Sequence, residues 1–330
     1  MDNTTEPMSS RNIIQYLIIT AKGLAMGAAD VVPGVSGGTI AFISGIYEEL
    51  IETIHKLDIG FLSTWKEDGF FKAWKDYNIG FLVALFSGIG ISILSLAKVI
   101  TWLLSNHPIM VWSFFFGLVL ASIIYVGRQI NKWGIKAIGA TIIATGLSYA
   151  ITLARPIEDI NSTWFLFLAG FIAIIAMILP GISGAFILLL LGAYKSIMAT
   201  INQFRDGILS LDWELFSSAF FKISIFAMGA IFGLKVFSRA LNWLFKNHKD
   251  LILATLTGFM IGALNKIWPW KQVLEYRMNH SGETVPFIEK SVFPGRYAGE
   301  PLIWYALLLM LFGFLSIFIL EKIATQKKSL

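Results

Sequence analysis

Apolar residues in this chain gather into long unbroken runs instead of alternating with polar ones. The runs predict apolar helices over 12–29, 35–54, 79–104, 109–127, 135–153, 164–179, 182–200, 218–244, 250–267 and 301–320. Several reach the ~20 residues that a helix needs to cross a bilayer core. Alternation in segments of ~10 residues, which marks a transmembrane barrel, is absent. Between the second and third runs, residues 55–78 mix charges with Trp65, Phe71 and Trp74, a pattern suited to a segment lying on the membrane surface. Residues 268–300 form the longest polar loop and contain Pro269, Pro286 and Pro294. No linker suggests a second, soluble domain, so 1–330 is expected to form one transmembrane domain.

Composition sharpens this picture. Of 330 residues, 56% are hydrophobic and 14% charged, with a mean hydropathy of +0.71; soluble domains carry roughly 25% charged residues. The net charge of +5 fits basic cytoplasmic loops better than nucleic-acid binding. Without cysteine, disulfides and thiolate chemistry are excluded. His55, His107, His248 and His280 have no zinc spacing, and neither metal nor cofactor is expected. The first ten residues are polar and the first run lacks a small-residue cleavage site, so no removable signal peptide is expected.

Two runs are interrupted in the same way. "ADVVPGVSGGTIAFISGIYEEL" occupies 29–50 and "ILPGISGAFILLLLGAYKSI" occupies 178–197. An offset of 147 places Pro33, Gly34, Ser36, Gly37, Gly45 and Tyr47 on Pro180, Gly181, Ser183, Gly184, Gly192 and Tyr194. The same offset carries Gly60, Leu62 and Ser63 onto Gly207, Leu209 and Ser210. At 141, Gly88 falls on Gly229, Lys98 on Arg239, Trp102 on Trp243, Asn106 and His107 on Asn247 and His248, and Gly117 on Gly258. Chance matches in apolar sequence favour Leu, Ile and Val; these are Gly, Pro, Trp, Asn and His. The expected units are repeat 1 over 12–153 and repeat 2 over 164–321.

Basic residues give the orientation. Arg11, Lys56, Lys66, Lys72, Lys75, Arg128, Lys132, Lys136, Lys246, Lys249, Lys322, Lys327 and Lys328 fall on the side of the termini, while opposite the turn 105–108 has none and two other turns carry Arg155 and Arg205. Both termini are therefore expected to be cytoplasmic. Each unit then reads as a broken helix pair, spanning or re-entrant, plus three spanning helices. The odd number of net crossings makes the second unit enter from the opposite face. The expected fold is an all-α integral membrane protein of two inverted-topology repeats, an arrangement typical of secondary transporters.

Proline removes a donor and clashes with the preceding turn, and in lipid the freed backbone groups must be satisfied by protein or by a wet cavity. Each break is followed at once by a new helix start, with free N–H groups and partial positive charge. Gly34, Ser36, Gly37, Gly38, Thr39, Gly181, Ser183 and Gly184 thus form a candidate anion site for phosphate or carboxylate. Close helix packing through small residues is the competing reading. Charges inside spans add candidates: Lys98 and Arg239 for the anion, and Asp30, Lys22, Glu48, Lys195 and Lys235 for charge pairing or proton coupling. Snorkelling to the interface competes, most strongly near helix ends. His107 and His248, each after an Asn, read as turn or interface residues.

"ADVVPGVSGGTIAFISGIYEELI" and "LPGISGAFILLLLGAYKSI" resemble the two signature stretches of the bacterial undecaprenyl-phosphate translocases, a polyprenyl-phosphate transporter family formerly grouped as a domain of unknown function. The resemblance covers about residues 12–322. It implies a flippase, not an enzyme, that returns the lipid carrier to the cytoplasmic face of the bacterial membrane for envelope polysaccharide synthesis. Its partners would be the lipid substrate and, in one version, protons. A small soluble anion as cargo, or an intramembrane lipid-phosphate enzyme, are the alternatives to weigh.

Overall fold

The structure, a computed structural model, describes residues 11–32, 35–58, 60–154, 162–278 and 284–326. Fourteen α-helices and one β-hairpin are found among them. In chain order these are α1 (Ile13–Val31), α2 (Gly37–Ile43), α3 (Tyr47–Lys56), α4 (Gly60–Asp68), α5 (Phe70–Asp76), α6 (Ile79–Asn106), α7 (Pro108–Gly127), α8 (Ile135–Leu153), α9 (Thr163–Ile178), α10 (Gly184–Leu190), α11 (Ala193–Ser210), α12 (Trp213–Asn247), α13 (Lys249–Ala263), β1 (Lys271–Met278), β2 (Thr284–Ser291) and α14 (Ile303–Gln326). Four helices, α6, α7, α8 and α12, are long and apolar enough to cross a membrane, and α9 and α14 carry shorter apolar stretches.

The sequence-level helices 35–54 and 182–200 are each two helices. Gly45 and Gly192 take φ of 72° and 70°, a left-handed conformation that an L side chain resists, and the helix stops there and restarts. Hydrophobicity runs straight through both points, so the apolar pattern hides them. The second correction concerns the polar loop 268–300, which contains the antiparallel hairpin β1–β2. The fold is therefore mostly helical, as expected of an all-α membrane protein, with one hairpin added. Within 55–78 lie the end of α3 and the short helices α4 and α5, whose Trp65 and Phe71 are exposed.

Glycine contacts set how closely the helices pack. A Cβ on Gly23 of α1 would strike the Leu85 carbonyl of α6, and one on Gly88 would strike that of Thr20. The equivalent contacts recur between α9 and α12, where Gly170 faces the Phe226 carbonyl and Gly229 that of Phe167. Likewise Gly117 of α7 meets Met310 of α14, and Gly258 of α13 meets Thr141 of α8. The third helix of each expected half thus packs against the other half: α8 on α13, and α14 on α7.

His107 and His248 sit at matching corners. Each caps one helix and opens the next, with φ/ψ of −136/50° and −140/49°. Their rings lie 5.6 and 5.2 Å from Trp102 and Trp243, and Asn106 and Asn247 each donate back to that tryptophan's carbonyl. Both histidines are corner residues.

Candidate functional site

The two breaks touch. The Thr39 hydroxyl, 1% exposed, accepts from the Gly181 N–H at 3.0 Å. The Ser36 hydroxyl lies within donating distance of the Met177 and Leu179 carbonyls, at 3.3 and 3.4 Å. A Cβ on Gly38 would come within 2.6 Å of the Ile178 carbonyl, so glycine here also serves close packing. Freed carbonyls at the end of α9 are thereby satisfied by the first break, as burial requires.

The starts of α2 and α10 differ. Ser36 caps α2, its hydroxyl accepting from Gly38 N–H at 3.1 Å. The Gly37 N–H donates to Asp30 Oδ1 at 2.6 Å. A carboxylate of the protein itself therefore occupies this helix start, and residues 35–43 are all buried. At the other end of α2, Lys22 donates to the Ser44 carbonyl at 2.6 Å. Asp30 and Lys22, two turns apart on α1, thus bracket α2 with charges that complement its ends, and α2 runs back along α1.

Ser183 caps α10, accepting from Phe186 N–H at 3.4 Å. Here Met177 stands where Asp30 stands in the first break, so no carboxylate is matched to this start. Gly184 is half-buried and Ala185 exposed, so this helix start is the more open of the two. Gly181, with φ of 85°, packs its backbone against Met260 of α13.

The remaining candidates are placed as follows. Lys235 donates to the carbonyls of Ile54, His55 and Leu57 and so caps the C-terminal end of α3. Glu48 pairs with Lys249 at 2.7 Å; both are about half exposed, where a pair contributes little. Arg239 is exposed beside His55, and no hydrogen bond or ion pair joins it to either break among the described residues. Gly34 and the side chains of Lys98 and Lys195 lie outside the described residues.

A cationic cluster that sequence reasoning missed lies beside the second break. The Lys266 ammonium stands 4.7 Å from the Phe186 ring in the first turn of α10. Lys271, in β1, stands 3.7 Å from the Trp112 ring of α7. Both face Glu289 Oε2 in β2, at 3.9 and 3.4 Å. Burial lowers the Lys266 ammonium below its usual range despite Glu289. Burial pushes Lys271 down to about 8, against the pull of Glu289 and with a further push from Lys266. The signal was "KIWPWK", residues 266–271, two lysines interleaved with tryptophans at a helix end. An apolar cavity of about 320 Å³ opens nearby, between Phe116, Asn265, Trp268 and Ser291.

Similarity to known proteins is extensive. The family model described as undecaprenyl phosphate translocase-like matches residues 26–285. A Vibrio cholerae protein named polyprenyl-phosphate transporter is 44% identical over 317 residues, covering 95% of this chain and 98% of its own length. A Staphylococcus aureus protein of the same name is 30% identical over 260 residues, covering 75% of this chain and 84% of its own. Both names describe transporters, not enzymes. No solved structure matches the chain.

Proposed function

The chain belongs to the undecaprenyl phosphate translocase-like family, and on that premise we propose that it is a flippase for polyprenyl phosphate. It returns the carrier from the outer to the inner leaflet of the bacterial cytoplasmic membrane, where envelope polysaccharide synthesis reuses it. A dianionic head will not cross hydrocarbon unaided, whereas an isoprenoid tail stays in lipid. The protein therefore has to shelter only the head.

One observation carries this reading: two Pro-Gly breaks, one from each half of the chain, meet through Thr39, Ser36 and Gly181. Halves 12–153 and 164–321 would be inverted repeats, with both termini cytoplasmic and the α1–α2 and α9–α10 pairs re-entrant. The recurring glycine contacts and histidine corners support the duplication. Exchange between the two halves would expose the breaks alternately to each face.

The head group would take the N–H and hydroxyl groups of Ser36, Gly37, Gly38, Thr39, Gly181, Ser183 and Gly184. At α2 it has a resident competitor. A phosphate oxygen and the Asp30 carboxylate claim the same Gly37 N–H, so phosphate enters there as Asp30 is protonated or swings away. That competition would couple movement of the lipid to a proton.

The test is reconstitution in liposomes with labelled undecaprenyl phosphate, with and without a pH gradient. The expected result is protein-dependent movement between leaflets, blocked by excess polyprenyl phosphate and not by inorganic phosphate. Soluble anions crossing while the lipid stays would hand the function to a small-anion transporter. A stalled phosphoenzyme would point to lipid-phosphate enzymology.

A further inference from the structure

We propose that Lys266 and Lys271 form a binding site for a phosphate dianion beside the second break, on the path by which a head group reaches Ser183. The proposal deepens the flippase reading and rests on it for the lipid attached to that phosphate.

The argument starts from charge. Among the described residues, two ammonium groups share one carboxylate, Glu289, and leave one positive charge in excess. The side chains are 19% and 7% exposed, so water does little to screen that excess. A buried charge without a counterion is expensive and is retained where function needs it. Glu289 is shared and distant: 3.4 Å from one ammonium and 3.9 Å from the other, longer than a well-formed charge-assisted hydrogen bond. A doubly charged anion drawn between the two lysines would complete the set.

Position is the second argument. Lys266 reaches the first turn of α10, whose start has Met177 where α2 has Asp30. The half-buried Gly184 and exposed Ala185 leave that start open, while α2 is closed. The cations therefore stand at the accessible break, where Met177 takes the position that Asp30 holds in the first break. Both ammonium groups also rest on aromatic faces, Phe186 and Trp112, which hold a cation in place without neutralising it. Arg239, the cation singled out from the repeat, lies at the far end of α3, beside His55, with no hydrogen bond or ion pair to either break among the described residues.

The hairpin explains why these lysines keep their places. Trp268 donates to the Val292 carbonyl at 2.8 Å, Trp270 to that of Pro301 at 2.7 Å, and Ser291 to that of Asn265 at 3.1 Å. The strand that carries Glu289 is thus pinned against the segment that carries both lysines.

The experiment uses the full chain in lipid nanodiscs and measures binding of radiolabelled undecaprenyl phosphate, with undecaprenol and inorganic phosphate as competitors. Lys266→Met with Lys271→Met should weaken binding by at least about tenfold, whereas Arg239→Ala stays within about twofold. Glu289→Gln frees two cations for the anion and should tighten binding by about threefold or more. A double variant that melts like the wild type and binds within about twofold of it overturns the site. Should the double variant not fold, Glu289→Gln decides alone: unchanged or weaker binding means the trio only braces the hairpin. If the wild type ignores the lipid but binds inorganic phosphate through both lysines, the phosphate site stands and the lipid-flippase reading falls.

Discussion

Replacing Asp30 tests how the first break is held. Its carboxylate accepts from the buried Gly37 N–H at 2.6 Å. Asp30→Ala leaves that donor orphaned in a fully buried stretch, which costs about 1–3 kcal/mol. Loss of the anion from a helix start adds about 0.5 kcal/mol, kept small because α2 has only seven residues. Asp30→Asn keeps an acceptor and loses only the charge, about 1 kcal/mol. Since each 1.4 kcal/mol is a factor of ten, the Ala variant should speed amide exchange at Gly37–Thr39 by about sixtyfold and the Asn variant by about fivefold. Hydrogen exchange read by mass spectrometry on a peptide over 36–44 gives both numbers. In the proposed competition, Asp30→Asn should also bind polyprenyl phosphate more tightly and transport it without response to a pH gradient. If the Ala variant exchanges like the wild type, Asp30 does not hold α2. If Asp30→Asn keeps the wild-type gradient response, the competition between carboxylate and phosphate is refuted.

Three further outcomes are expected. Lys271 binds its proton less tightly folded than unfolded, so between pH 8 and 10.5 the unfolded chain holds more protons and stability rises with pH, by on the order of 3 kcal/mol; the difference in melting between wild type and Lys271→Met across that window checks it. Tyr47 buries a hydroxyl that has no hydrogen-bond partner among the described residues, so Tyr47→Phe should be neutral or stabilising by about 1 kcal/mol, as thermal melting will report. Gly88→Leu drives a side chain into the Thr20 carbonyl and should destabilise by about 3 kcal/mol or abolish folding, with Gly229→Leu behaving alike at α9, as detergent-extracted yield and melting would register.

The sequence made much of this molecule legible because its signals were of unusual residue types. Matched Gly, Trp, Asn and His positions marked places where backbones approach or helices turn, and those are the contacts at Gly88, Gly229, His107 and His248. Gly45 and Gly192 were aligned correctly yet passed over as helix breaks, since hydrophobicity reports burial and not φ. The hairpin was hidden for a different reason. Its register and the bulge near Val273–Tyr276 depend on pairing across a turn, which local propensity does not encode. Charges were the hardest to place. Lys235 and Arg239 lie one turn apart on α12, yet one caps α3 and the other is exposed, and only the packing of α3 on α12 separates them. Lys266, at the end of the expected helix 250–267, and Lys271, in the polar loop, were not singled out, although the tryptophans beside them pointed to burial.

The exchange of third helices has a consequence for how the chain is made. α7 presents Gly117 to a partner, α14, that begins about 175 residues later. At ordinary synthesis rates that is a wait of roughly 10–35 s, during which α7 sits in the membrane with its groove unfilled. α8 waits too, though less long, for α13. The first half therefore cannot finish folding as it emerges, and its completion is tied to the last helix of the chain. A ribosome that stops before α14 leaves behind an open small-residue surface, the kind that membrane proteases and chaperones meet first.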